Sequence, residues 1–383
     1  MTTQAQTVGG LNTPVLVAAL AGVVVSMGLV FQALMTNGHA SFNTTNDGVV
    51  WGLPVAVYVF FVLSSTGCTL VASMAMVFGI KDFYPIAKRC VWLAVATLIA
   101  GFVPLAFELG HPFRMLWALP TSFQFTSPMN WMGVFYAAYL VFLLLKFQRL
   151  SAGDWDSPAS RNLGMASFVI VIVAHGTLGL VFGMMAMRPF WYGSLIPLYF
   201  LTTAFLSGIA FAVMVTYISH GFDQDNMPAD LRELMCGAMP KLFATVLGIG
   251  MLMVVFRTVT GLWSNADGLQ VFHHMVRSPL FHLELWGGMV LPFVLLISPG
   301  LRSRTAVQVS SALLVMMALM IGRYEYVVGG QLVPLFKGAW APEFIAYVPS
   351  FTEWMLALLG VSIAFAIYAI GERMFNLSAE PGA

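Results

Sequence analysis

Along this chain, apolar residues come in long unbroken runs, closed by Pro, Gly or a charged residue, and not in the short periodic patterns of soluble domains. Windows of about 18–25 residues, the length an α-helix needs to cross the hydrocarbon core, place spans near 14–35, 51–79, 90–109, 128–147, 162–186, 194–220, 239–262, 281–299, 305–328 and 350–371. The pattern predicts an all-α polytopic membrane protein of about ten helices. A faint repeat runs through it. Leu53–Ser64 and Ile196–Ser207 each carry Pro second and Ser ten residues later, and Ser-Pro opens both the fourth and the eighth span, at Ser127 and Ser278. Two markers in matching order suggest two four-helix units flanked by single helices.

The expected organisation is an N-terminal helix and outer loop over 1–50, and a first four-helix unit over 51–190. A second unit spans 191–300 and 301–328, and an outer loop, final helix and cytoplasmic tail occupy 329–383. Lys and Arg favour cytoplasmic loops. With the N-terminus inside, cytoplasmic segments hold Lys81, Lys88, Arg89, Lys146, Arg149, Arg161, Arg232, Lys241, Arg302, Arg304 and Arg373. Outer loops hold only Arg114, Arg188, Arg277 and Lys337. Both termini are therefore expected in the cytoplasm, with the first apolar run kept as a helix and not removed as a signal.

Composition narrows the chemistry. Apolar residues make up 59% and charged residues 9% of the chain, and the mean hydropathy is +0.86, which leaves the lipid bilayer as the solvent. A net charge of +1 and the lack of a Gly-rich phosphate loop give no reason to expect nucleic acid or nucleotide. Cys68, Cys90 and Cys236 are scattered, so neither a disulfide framework nor a cysteine-ligated iron–sulfur cluster is expected. The 25 methionines suit helix packing better than copper handling.

Ionisable residues at membrane depth are costly and usually functional. Glu108, Arg257, Arg323 and Glu325 fall near the outer ends of outward-running spans, and Tyr58, Glu284 and Glu353 near the outer ends of inward-running ones. The inner half offers hydroxyls but no obvious carboxylate. His175 alone lies deep, so a bis-histidine haem is not expected, and no cluster has metal-ligand spacing. A quinone asks for less: an apolar slot, a donor for each carbonyl and a group that exchanges protons. Tyr58 and His175 have that chemistry. The bland alternatives are a tyrosine satisfied by a carbonyl and a histidine bridging two helices.

The runs "VWGLPVAVYVFFVLSSTGCTL" (Val50–Leu70), "FELGHPFRM" (Phe107–Met115) and "TSPMNWMGVFY" (Thr126–Tyr136) resemble the NrfD or polysulfide-reductase membrane-subunit family. "AHGTLGL" from Ala174, "VVFRTVTGL" from Val254, "FHLELW" from Phe281 and "RYEYVV" from Arg323 extend the likeness, and the ten-helix length is similar to the HybB, DsrP and HmeC branch. The resemblance implies a menaquinone or ubiquinone substrate held in the first unit near the outer face, without haem or iron–sulfur cluster in this chain. It also implies a ferredoxin-like iron–sulfur subunit and a periplasmic catalytic subunit, such as a molybdopterin enzyme, a hydrogenase or a multihaem cytochrome, at a bacterial cytoplasmic (inner) membrane. By motif position, Tyr58 and His175 would contact the quinone, and Glu108 matches an acid that precedes Gly-Arg-Pro. Here His111 takes the arginine's place with Arg114 nearby, which leaves open which cation pairs with Glu108. The expected function is the quinone-reactive anchor of a respiratory oxidoreductase complex. A secondary transporter built of two related units is the alternative.

Overall fold

The computed structural model describes residues 12–45, 48–110, 113–264, 266–336, 338 and 340–380. Among them ten helices are long and apolar enough to cross a membrane. They are α1 (Asn12–Asn37), α2 (Leu53–Met76), α3 (Tyr84–Glu108), α4 (Pro128–Ser151), α5 (Pro158–Gly183), α6 (Ile196–Ser219), α7 (Ala238–Trp263), α8 (Pro279–Ile297), α9 (Thr305–Gly329) and α10 (Phe351–Met374). Proline stands in the first turn of α2, α3, α4, α5 and α6, where a missing N–H costs nothing and the fixed φ suits a helix. The protein is thus all-helical and integral to the membrane. Short helices at Arg114–Thr121, Ala229–Cys236 and Val271–Met275 lie in the connections.

Helices α2, α3, α4 and α5 pack in a ring of nearest neighbours, and α6, α7, α8 and α9 do the same. The rings meet where α2 lies against α6 and α9, and α5 against α6. At the centre of this seam an added Cβ on Gly67 would run into the Ala204 carbonyl, and one on Gly208 into the Gly67 backbone. With no hydrophobic force acting between helices in lipid, such close backbone approach through small residues is what brings them together. Helix α2 is the centre of the molecule: all its residues are buried except Leu70, Met74 and Met76. Helix α10 lies on α3 and α2, and α1 packs on α10.

All even-numbered helices start, and all odd-numbered helices finish, at one end of the bundle, here named the Glu108 end; the other is the Arg89 end. At the Arg89 end the structure corrects two sequence expectations. Lys88 and Arg89, placed above outside the spans, are buried within α3, as is Lys146 within α4. Glu372 of α10 is a buried carboxylate in the half expected to hold none, bonded to Arg89 at 3.0 Å and to the Tyr368 hydroxyl at 2.7 Å. A hydropathy minimum marks where charge occurs. It does not distinguish a side chain that snorkels to water from one that turns inward to a partner on another helix.

Candidate functional site

The interior of the first ring is lined by hydroxyls. Ser64 and Ser73 donate to carbonyls one turn back in α2, at 2.8 and 2.7 Å, and are satisfied locally. Ser65 donates to Ala94 O of α3 at 2.7 Å. Tyr139 of α4 closes this group, 2.6 Å from the Thr69 hydroxyl and 3.1 Å from that of Ser65. Nearer the Glu108 end the phenols are differently placed. The Tyr58 hydroxyl has only the Met132 sulfur, at 3.6 Å, a weak acceptor. Tyr136 is buried and its hydroxyl has no partner. Both rings flank Phe102 of α3, at centroid separations of 5.3 and 5.8 Å.

A buried hydroxyl without a partner is destabilising by about 1–3 kcal/mol, so two poorly satisfied phenols around one aromatic ring mark a place built for something else to accept from them. A flat molecule with carbonyls suits it. Phe102, Val103, Phe107, Met132 and Phe135 around it are only partly buried, so α3 and α4 present an apolar slot toward the bilayer. Tyr136 was not singled out from the sequence, although it ends the Ser-Pro motif. The signal was its spacing: Tyr136, Tyr139, Leu143 and Lys146 recur along one face of α4, and all four are buried.

Glu108 is the last residue of α3 and half-buried, about 9 Å along the helix from Phe102. Arg114 opens the next short helix, exposed and 5.8 Å from the Trp117 ring, and no ion pair between it and Glu108 is found among the described residues. His111 lies outside the described residues.

His175 is not brought together with Tyr58. Its Nδ1 is 3.1 Å from the Thr66 hydroxyl, and Thr66 stands eight residues beyond Tyr58 on α2, about 12 Å by helical rise. Glu353 is also elsewhere in character. It completes the capping box of α10 with Ser350 and accepts from the Tyr347 hydroxyl at 2.6 Å, while that hydroxyl accepts from Leu53 N at 2.8 Å. It therefore ties the starts of α2 and α10 together.

The remaining intramembrane charges fall inside the second ring. Arg257 of α7 lies over Phe190 and Tyr326 at 4.2 and 4.7 Å and donates to Phe190 O at 3.3 Å. Arg323 of α9 lies over Phe200 and Tyr199 at 4.7 and 5.3 Å and donates to the Thr203 hydroxyl. Glu284 sits on a π-helical stretch, Leu283–Val290, and its carboxyl covers Gly322, the residue before Arg323. An extra residue per turn of this kind re-aims a side chain without ending the helix. Glu325 is buried, with one carboxyl oxygen unpartnered.

Ten helices in two rings, one with weakly held phenols and one with enclosed charges, define an integral membrane protein with an apolar slot near one membrane face. The family comparison is specific: the model of the polysulphide reductase NrfD family matches residues 41–334, and the protein belongs to that family. A selenate reductase subunit of Mesobacillus selenatarsenatis is 24% identical over 86% of this chain and 87% of its own length. The Hdr-like menaquinol oxidoreductase integral membrane subunit of Archaeoglobus fulgidus is 24% identical over 91% of this chain and 90% of its own. A polysulfide reductase polypeptide of Wolinella succinogenes is 27% identical over 45% and 60% respectively.

Proposed function

We propose that this protein is the quinone-reactive membrane subunit of a respiratory oxidoreductase in a bacterial cytoplasmic membrane, with both termini cytoplasmic and the Glu108 end periplasmic. The observation that carries the reading is the pair of phenols across Phe102, Tyr58 with only a thioether and Tyr136 with no partner, in a chain related along most of its length to a menaquinol oxidoreductase subunit. A quinone head between α3 and α4 accepts from these hydroxyls while its tail lies in the bilayer. Menaquinone and ubiquinone both present the carbonyls this requires.

Oxidation of a quinol releases two electrons and two protons. The electrons pass to a ferredoxin-like iron–sulfur subunit docked at the Glu108 end and on to a periplasmic catalytic subunit, whether molybdopterin enzyme, hydrogenase or multihaem cytochrome; quinone reduction is the reverse. Glu108 exchanges one proton at the rim, beside His111 and Arg114. His175, held by the Thr66 hydroxyl, takes the other deeper in the ring. The relatives named as reductase and oxidoreductase subunits support this reading over a secondary transporter.

In the intact complex, Tyr58→Phe and Tyr136→Phe should each lower quinol turnover by about tenfold, the worth of a hydrogen bond made to the reacting ring. Dye-coupled activity of the catalytic partner should be unchanged, and Tyr139→Phe, whose hydroxyl is already satisfied, should alter quinol kinetics far less. Wild-type quinol kinetics in an assembled Tyr58→Phe, Tyr136→Phe double variant would remove the site from this slot.

A further inference from the structure

Two basic side chains flank the seam between the rings, each held by a threonine next to the closest backbone contact. Thr66, beside Gly67, bonds His175 of α5, and Thr203, beside Ala204, receives Arg323 of α9. Both bases pack on one ring, Phe200 of α6. The His175 centroid is 6.3 Å and the Arg323 guanidinium carbon 4.7 Å from its centre, so the two are at most about 11 Å apart. Each keeps one nitrogen that is buried and has no partner, His175 Nε2 and Arg323 Nη1.

The Thr66 hydroxyl lies 3.1 Å from His175 Nδ1 and 3.3 Å from Val62 O. A proton taken up by the imidazole would put a second positive charge near a permanent guanidinium in a medium where charges are weakly screened. The groups around the imidazole are few. From α2 it meets Thr66, and from α6 Phe200, with Thr203 and Tyr199 beyond; Arg323 of α9 packs on the same Phe200 ring. Behind Arg323 stand Glu284, Glu325 and Arg257. Arg323 shares the Phe200 ring with His175, and it belongs to the other ring of helices.

We propose that Arg323 is a positioning residue for His175: across the seam its charge opposes a second charge on the imidazole, and so lets the second ring set how readily the first ring takes up a proton. This rests on the reading that His175 serves the quinone reaction. It gives the charged second ring a task in that reaction without requiring it to bind quinone. Any loss of carboxylate charge at Glu284 or Glu325 would strengthen the hold of Arg323, because less of its field would be compensated.

The test is made on the full-length protein in lipid nanodiscs with histidine ¹⁵N-labelled, the His175 resonance being the one absent from His175→Gln. In Arg323→Gln the ratio of imidazolium to neutral imidazole at His175 should rise on the order of tenfold at a given pH, the effect of one charge at this range. Arg323→Lys should restore the wild-type ratio. Arg323→Met, which keeps length and loses charge, serves where glutamine is not accommodated. An unchanged ratio in the neutral variants, or a lysine variant altered as much as they are, overturns the proposal. Quinol turnover against pH, measured in the whole complex, separates the two ideas. A shifted ratio with an unshifted pH profile keeps the Arg323–His175 coupling and removes His175 from the quinone reaction.

Discussion

The two rings share a helix arrangement and differ in what they enclose. The first holds phenols and small hydroxyls, with Glu108 at one rim and Lys146, bonded to Ser160, toward the Arg89 end. The second holds two guanidiniums and two carboxyls, the arginines laid over aromatic faces. Neutral hydroxyls can remain poorly partnered at modest cost and so stay available to a ligand. Leaving a charge unpaired in a membrane interior costs several times more. The second ring lays its guanidiniums over aromatic faces, and Glu284 reaches its place over Gly322 through a π-helical turn, yet one nitrogen of Arg323 and one oxygen of Glu325 stay without a partner. The two rings thus differ in the kind of polar group they leave unsatisfied, neutral phenols in one and charged groups in the other.

The comparison is broken most completely at the seam. Gly67→Val leaves no room for the Ala204 carbonyl and should prevent the rings from packing, seen as loss of folded protein from the membrane after extraction. If that variant assembles with normal thermal stability, the rings are independent bodies and the contrast between them is incidental. A smaller effect is expected from Glu108→Gln, which keeps shape and loses titration: quinol turnover should fall several-fold, with a flattened pH profile. A wild-type profile would make Glu108 part of the framework, like Glu353, and sharpen the boundary between rim and site.

The smallest effect lies outside both interiors. Asp154, in the α4–α5 loop, accepts from the Ser157 hydroxyl at 2.7 Å and backbone N at 3.2 Å and from Arg149 at 3.2 Å, which holds its carboxyl below the usual carboxylate range. A group whose pKa is depressed on folding stabilises above its unfolded value and loses that contribution as the pH falls through the folded one. Asp154→Asn should therefore lower the melting temperature slightly at neutral pH and not at all in strong acid. An equal loss at both would assign the effect to geometry and not to charge.

Much of the architecture was legible in the amino-acid sequence. All ten spans were found, with ends within a few residues, although α3 begins at Tyr84, well before the window that marked it, since Lys88 and Arg89 read as loop. The candidate site was legible only in part. Tyr58 could be named from its motif, while Tyr136 stood unremarked at the end of another family segment, because a tyrosine's character depends on whether its hydroxyl has a partner. His175 was named for its chemistry and depth, while its partner Thr66 on another helix was not readable from its own span.

What the sequence determined by itself was the number, length and polarity of the helices. A backbone in lipid must satisfy its own hydrogen bonds, so about twenty apolar residues leave it no choice but a helix. What only the tertiary structure decided was the pairing between helices: Tyr139 with Ser65 and Thr69, Arg89 with Glu372, His175 with Thr66, and Tyr136 with nothing. Those partners come from the rotation and depth at which helices meet. Contacts between small residues such as Gly67 and Gly208 set that register, and the hydropathy of a span carries no record of it.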